Sequence, residues 1–393
     1  MKHNRIWLKW LFINIFRFII SATLLFSGWV KVIDPMGMVY KLKAYADYFD
    51  LDFSENGILL KLLVVIVAVT ECHLGFSLLL GIRRKSSSIL VFLLLLAMTG
   101  VTVFVYLKNP VADCGCFGEA IELTHGQTLI KNVILIVMAS FLVVYPRRMR
   151  RFITERNQWI TSIYSFCFVI GSLLYSFHFT PIISFTDYKV GTDVLSNYRG
   201  EVGDGELLQD VASLYIVDKS GNDLTEAIIS KSGVTFLLTI PDVNSADDSS
   251  ADLINELHDY AEENSYQFLA LIGTSLDRAY GWRDRTGASY PIYQSDDLVL
   301  KSMVRSNPGL LLLVDGVVRG IWGVNELPEN LLNKPINESD IVSVKQSSFE
   351  SITKLVGLYL IPLLLVIFLD GIMLGRKYYL HWKYMNKVLE IRK

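Results

Sequence analysis

Six apolar runs, each close to the ~20 residues a helix needs to cross a bilayer, constrain this chain more than any other feature. They fall near 12–32, 58–82, 88–107, 129–146, 158–178 and 354–375. Inside lipid every backbone polar group has to be satisfied within the segment, so runs of this length fold as helices. The connecting segments sort by charge. Lys2, Arg5 and Lys9, the turn Arg83-Arg84-Lys85, the linker Arg147-Arg148-Met149-Arg150-Arg151 with Arg156, and the tail from Arg376 to Lys393 all fall on one side of a six-crossing path. Positive charge stays on the cytoplasmic side of short loops, so both termini are expected in the cytoplasm. The other side receives loop 33–57, a short loop holding Cys114 and Cys116, and a long segment from about 179 to 352. No small-x-small cleavage pattern follows the first apolar run, which ends in Trp29-Val30-Lys31; it is expected to be an uncleaved helix, not a signal peptide.

The net charge of −2 therefore averages a basic rim with an acidic outer part. Four cysteines in 393 residues exclude a disulfide-stapled scaffold. Cys72 and Cys167 lie inside spans two and five, which leaves Cys114 and Cys116 facing an aqueous, oxidising compartment. The chain has no Gly-rich phosphate loop, no zinc-spaced Cys/His set, no Gly-x-Ser-x-Gly and no tandem repeat. Membrane lipid is the expected surrounding, with no nucleic-acid partner and no metal site.

The expected organisation is a four-helix membrane module over 1–150, a fifth helix within 151–180, an external α/β domain over 181–352, a sixth helix within 353–376 and a basic tail over 377–393. In the external part Ser213–Val217 and Val234–Ile240 read as strands, and Ser249–Asn264 reads as a helix with Leu253, Ile254, Leu257, Tyr260 and Ala261 on one face. Strand Tyr266–Ile272 follows, then a helical patch Leu298–Val304. A hairpin, Gly309–Val314 and Val317–Trp322, turns at Asp315-Gly316, a pair suited to a type I′ turn.

That order, with Asn307-Pro308 just before the hairpin, resembles a thioredoxin-like domain, in which a cis-proline at this place faces the redox motif. The segment where the motif belongs reads Pro241-Asp242-Val243-Asn244-Ser245-Ala246-Asp247-Asp248-Ser249-Ser250 and holds no cysteine. Without a thiolate there is no nucleophile for disulfide exchange. The resemblance, over roughly 205–335, therefore implies a fold and a redox-silent domain whose surface beside Pro308 either docks a partner or binds an extended peptide. Asp247 and Asp248 are expected at a helix start, where negative charge suits the dipole.

The first 150 residues resemble the DoxX and MauE-like redox-associated membrane proteins. The resemblance is carried by Phe26-Ser27-Gly28-Trp29-Val30-Lys31-Val32-Ile33-Asp34-Pro35 ending span one, Glu71 with Gly75 in span two, and Asp113-Cys114-Gly115-Cys116-Phe117-Gly118 before span four. It implies periplasmic thiol chemistry, quinone-linked electron transfer or maturation of a partner, in a bacterial inner membrane.

Cysteines at i and i+2 can approach disulfide distance, but the small ring departs from relaxed torsions, so such a bond is strained and readily reduced. Cys114 and Cys116 are thus candidate redox residues; the alternative is a clip that fixes the loop to the helix tops. Glu71 and His73 flank Cys72 within span two, and ionisable groups at that depth are functional suspects. Glu71 pairs with Lys31 if the first helix turns that amine inward, or relays protons to a reducible headgroup. Lys31 and His73 are the candidates for contact with a quinone. For Lys31 the alternatives are snorkelling and lowering a thiol pKa in the loop; for His73, an interhelical hydrogen bond. His125 is either a proton carrier or a solvated loop histidine, and Cys167 is a packing residue.

Two functional readings stay open. In one the chain is a membrane thiol-disulfide oxidoreductase that passes electrons between a periplasmic thiol protein and the quinone pool. In the other it is a non-enzymatic scaffold or assembly subunit that presents a redox-silent docking domain within an envelope assembly.

Overall fold

The computed structural model describes residues 2–55, 57–109, 115–121, 123–199, 214–333, 335–336 and 348–391. It separates into two units, one of Met1–Leu174 with Ile352–Lys393 and one of Tyr175–Ser351. Among the described residues, six helices are long and apolar enough to cross a membrane: Trp7–Ile33, Ile58–Leu80, Arg84–Lys108, His125–Val144, Gln158–His178 and Thr353–Arg376.

In the first unit, helix α1 (Lys2–Ile33) stops just before Pro35, whose ring removes a backbone donor. The loop expected over 33–57 instead contains a further helix, α2 (Pro35–Tyr48). Pro35 sits at its first position, and Asp34 caps it by accepting from Gly37 N at 2.9 Å. Helix α3 (Ile58–Leu80) ends on Gly81 in the left-handed conformation, and α4 (Arg84–Lys108) ends on Asn109 in the same region. Helix α5 (His125–Val144) starts with a capping box between Thr124 and Gln127. Ile20, Leu24, Leu78, Leu95 and Leu142 lie together in the core of these helices, and Asn132 Nδ2 donates to Thr102 Oγ1 at 2.9 Å between α5 and α4.

Helix α6 (Gln158–His178) and the last helix (Ser348–Ile391) are tied to each other and to the bundle. Asp370, buried in the last helix, accepts from Thr154 N at 2.8 Å, Thr154 Oγ1 at 2.7 Å and Asn157 Nδ2 at 2.5 Å, just ahead of α6. Tyr359 is buried; its hydroxyl lies 2.8 Å from Ser165 Oγ, and its ring packs on Trp29, Phe76 and Phe168.

The second unit is a mixed α/β domain on a five-stranded sheet. Strands β1 (Val234–Ile240), β2 (Gln267–Ile272) and β3 (Ile292–Gln294) are parallel, and β4 (Gly309–Val314) and β5 (Val317–Gly323) add antiparallel pairs, in the order β3-β2-β1-β4-β5. β1 and β2 are almost wholly buried, the near-continuous apolar run expected of strands covered on both faces. One face packs Phe236, Leu238 and Ile240 against Ile254 and Leu257 of helix α7 (Ala251–Glu263). The other packs Leu237, Leu269 and Leu311 with Val299 and Leu300 of α8 (Asp297–Met303). The hairpin turn has positive φ at both Asp315 and Gly316, as a type I′ turn requires.

Ser213–Val217 does not form a sheet strand: Ser213 lies outside the described residues, and the remainder makes only single bridges, from Val217 to Asp223 and to Gln294. Asp218 pulls the chain away there by accepting from Ser220 N at 2.7 Å and Asn222 N at 2.9 Å, an Asx-type turn that competes with strand pairing. The Asn307-Pro308 bond is cis. Asn307 ties down the cysteine-free segment after β1, since its Nδ2 donates to Asp242 O at 2.7 Å and its carbonyl accepts from Asp247 N at 2.9 Å.

Candidate functional site

Close packing of α1 on α3 builds the site. A Cβ on Gly28 would sit 2.6 Å from Cys72 Sγ, and one on Gly75 would sit 2.9 Å from Leu25 Cγ. The helices therefore run antiparallel, with glycine at the places of closest approach. This register sets the depth of Glu71. The sequence places it midway along its apolar run, but packing sets it level with Gly28, only about 7–8 Å, or five residues of helical rise, from the end of α1.

At that level Lys31 turns inward. Its Nζ lies 2.9 Å from Glu71 Oε2 and 3.2 Å from Oε1, and the two side chains are 2% and 0% exposed. Ser27, one helical turn earlier, completes the group: its Oγ lies 2.8 Å from Lys31 Nζ and 2.9 Å from Glu71 Oε2. Both also seize the cysteine loop, Lys31 Nζ at 3.0 Å and Ser27 Oγ at 2.6 Å from the carbonyl oxygen of Cys116. Lys31 thus reaches Cys116 through its backbone.

The rest of the loop is held from above and beside. Lys41 of α2 donates to Gly118 O at 3.2 Å, and its side chain lies across Gly115, which has positive φ. Phe117 packs edge-on against Phe26 and lies under Lys131 Nζ at 4.1 Å. Cys114 lies outside the described residues, and so does any pairing it makes. The structure therefore brings together Lys31, Glu71 and Cys116 of the sequence-nominated residues. It adds Ser27 and Lys41. Ser27 carries no signal in the sequence beyond its place in the motif, and Lys41 lies in the stretch of mixed charge expected to be a loop.

The other candidates are placed apart. His73 lies about 200° around α3 from Glu71; its Nδ1 is enclosed and has no hydrogen-bond partner among the described residues. His125 Nε2 lies 2.8 Å from Asn109 Oδ1 and joins the end of α4 to the start of α5. Cys167, expected to pack, lies instead on an exposed face of α6 among the described residues. In the second unit, Asp247 accepts from Ser249 N at 2.9 Å just before α7, and Asp248 faces Arg285 at 3.4 Å. His258, Asp259 and Glu262 lie close enough together to attract attention as ligands. The two ring nitrogens of His258 face different acids, at 3.5 Å and 3.6 Å, and the ring is packed on Phe268 and Tyr290.

Residues 9–145 match the family model of the methylamine utilisation protein MauE. The match covers about a third of the 393 residues and contains most of α1 and all of α2 to α5, with Ser27, Lys31, Glu71 and Cys116 inside it. It carries the MauE side of the resemblance drawn from the motifs, while the DoxX side rests on the sequence alone. No significant match to this chain occurs among curated proteins or solved structures. With six helices long and apolar enough to cross a membrane among the described residues, and a segment similar to MauE, the chain is a multi-pass membrane protein.

Proposed function

We propose that the MauE segment is the redox module of an inner-membrane thiol-disulfide protein, with the Cys114/Cys116 loop exchanging electrons between a periplasmic thiol partner and the quinone pool. In this reading both termini are cytoplasmic and residues 181–352 are periplasmic, a placement the charge pattern supports. The observation that carries it is the grip of buried Lys31 and Ser27 on the carbonyl of Cys116, with Glu71 behind them. That grip seats a candidate redox residue beside a buried carboxylate, sheltered from water.

Oxidation of a Cys114/Cys116 dithiol releases two electrons and two protons, and a quinone accepts both. Of the two residues assigned to quinone contact, Lys31 is already surrounded by five oxygen acceptors for its three N–H groups. His73 retains hydrogen-bonding capacity at Nδ1, so it is the one suited to a quinone carbonyl. Lys31 then acts as a positioning residue.

The second unit is read as thioredoxin-like, supported by its strand order, its pairing directions and the place of Pro308 before β4. Its cysteine-free segment after β1 also favours the second reading, a redox-silent docking domain of a scaffold or assembly subunit. One experiment separates the two. Free thiols are trapped in intact cells with an alkylating mass tag, with and without a membrane-permeant reductant and a quinone-pool inhibitor. A Cys114–Cys116 state that follows the quinone pool, with loss of function in Cys114→Ser and Cys116→Ser, supports the oxidoreductase. An unchanging state and active serine variants leave the scaffold.

A further inference from the structure

The opposite, basic end of the α1 bundle carries guanidinium groups without acids. Arg17 is fully buried and donates one Nη to the carbonyl of Arg150, yet its Nε and Nη2 have no partner among the described residues. Ser21, one turn along the same face of α1, is also fully buried with an unpartnered Oγ. In the linker above, Nη1 of Arg148 is enclosed and unpartnered as well. The ion pair at this end, Arg151 with Glu155 at 2.6 Å, leaves Arg17 and Arg148 without a carboxylate among the described residues.

Burying an uncompensated cation is strongly unfavourable, and enclosed N–H groups without acceptors add to the penalty. The arrangement calls for an anion with several oxygens, because a guanidinium fork matches phosphate geometry. The surroundings identify where that phosphate comes from. The Arg17 guanidinium lies between the rings of Phe18 and Phe152, at 4.8 Å and 5.1 Å, and both rings are more than a third exposed. On a membrane helix such rings face acyl chains. Basic pockets between spanning helices are suited to anionic headgroups.

We propose that Arg17 and Ser21 form a phosphate-binding site at the basic end of the bundle, filled by the phosphodiester of an anionic phospholipid. The linker covers the donors in this structure, so the headgroup enters by displacing the exposed side chains of Arg150 and Phe152. This site is independent of the cysteine loop and of any redox role.

The test is native mass spectrometry of the full chain in detergent, titrated with phosphatidylglycerol, with phosphatidylcholine and with inorganic phosphate. The expected result is one retained phosphatidylglycerol, preferred over phosphatidylcholine by about tenfold, with the preference lost in Arg17→Gln and partly kept in Arg17→Lys. Binding of inorganic phosphate with no lipid preference would keep the phosphate site and overturn its lipid source. A wild-type chain that distinguishes none of the three ligands overturns the site outright, and this arm needs no variant to fold. An Arg17→Gln chain that folds and keeps the full preference also overturns it.

Discussion

Lys31 Nζ and Glu71 Oε2 lie 2.9 Å apart at the end of α1, with the two side chains 2% and 0% exposed. Removing one partner leaves the other charge buried and alone, a loss of about 3–5 kcal/mol in comparable pairs. Lys31→Met and Glu71→Gln are therefore each expected to destabilise the full chain in detergent by that order. The double variant Lys31→Met/Glu71→Gln should recover much of the loss, because no charge is then stranded. Denaturant midpoints of the four proteins close a double-mutant cycle. Single-variant losses below about 1 kcal/mol, the range of exposed pairs, would mean that water reaches the pair.

What could be read from the sequence follows from which forces act locally. The six spans were legible because lipid demands long apolar helices, and their observed ends differ from the expected ones by only a few residues. The hairpin at Asp315-Gly316 was legible because its turn chemistry is local. The depth of Glu71 was not, since it depends on where α3 packs along α1, and that is set by the contact of Gly28 with Cys72. Helix α2 was hidden in a stretch of mixed charge, although Asp34-Pro35 is a helix start in hindsight. The burial of Ser27, Arg17 and Asp370 depends on partners more than 40 residues away. No window of sequence holds both members.

The Gly28 contact gives a second prediction. Alanine there would place a Cβ 2.6 Å from Cys72 Sγ, 3.0 Å from Cys72 N and 3.2 Å from Glu71 Cβ. Overpacking of this kind costs about 1–3 kcal/mol. Because the nearest atom is the sulfur, Cys72→Ala in the same chain should return part of the loss, while the contact with backbone N keeps the rest. Thermal midpoints of Gly28→Ala with and without Cys72→Ala measure this. Equal midpoints would show that the backbone contact alone governs the packing.

Asp370 sets two tendencies against each other. Asp370→Leu makes the last spanning helix more apolar, which favours insertion, but it strips the acceptor from Thr154 N, Thr154 Oγ1 and Asn157 Nδ2. Each enclosed donor left unsatisfied costs about 1–3 kcal/mol. The expected outcome is a chain that inserts as well as wild type yet is cleaved faster by protease between 150 and 158, the stretch the carboxylate ties down. Asp370→Asn, which keeps one acceptor, should fall between the two. Unaltered cleavage in Asp370→Leu would remove this carboxylate from the account of how α6 is held.

In the second unit Trp282 Nε1 donates to the hydroxyl of Tyr290 at 3.0 Å, and both side chains are fully buried. Burial pushes the Tyr290 phenol up from 10.0 to about 12, against the smaller opposing effects of the Trp282 bond and Arg283. The fold thus favours the neutral phenol. Its contribution is complete below pH 10, the unfolded value, and is lost as pH rises from 10 toward 12. Tyr290→Phe should weaken the unit near neutral pH by about 1–3 kcal/mol, since the Trp282 N–H loses its acceptor. The same variant should show a shallower fall in stability between pH 10 and 12. Tyr188 is likewise pushed up to about 12 by burial, so some slope should persist until Tyr188→Phe is added. Urea midpoints followed by near-ultraviolet circular dichroism at pH 9, 10.5 and 12 give both quantities. An alkaline slope equal to wild type in the double variant would assign the loss to groups other than these two phenols.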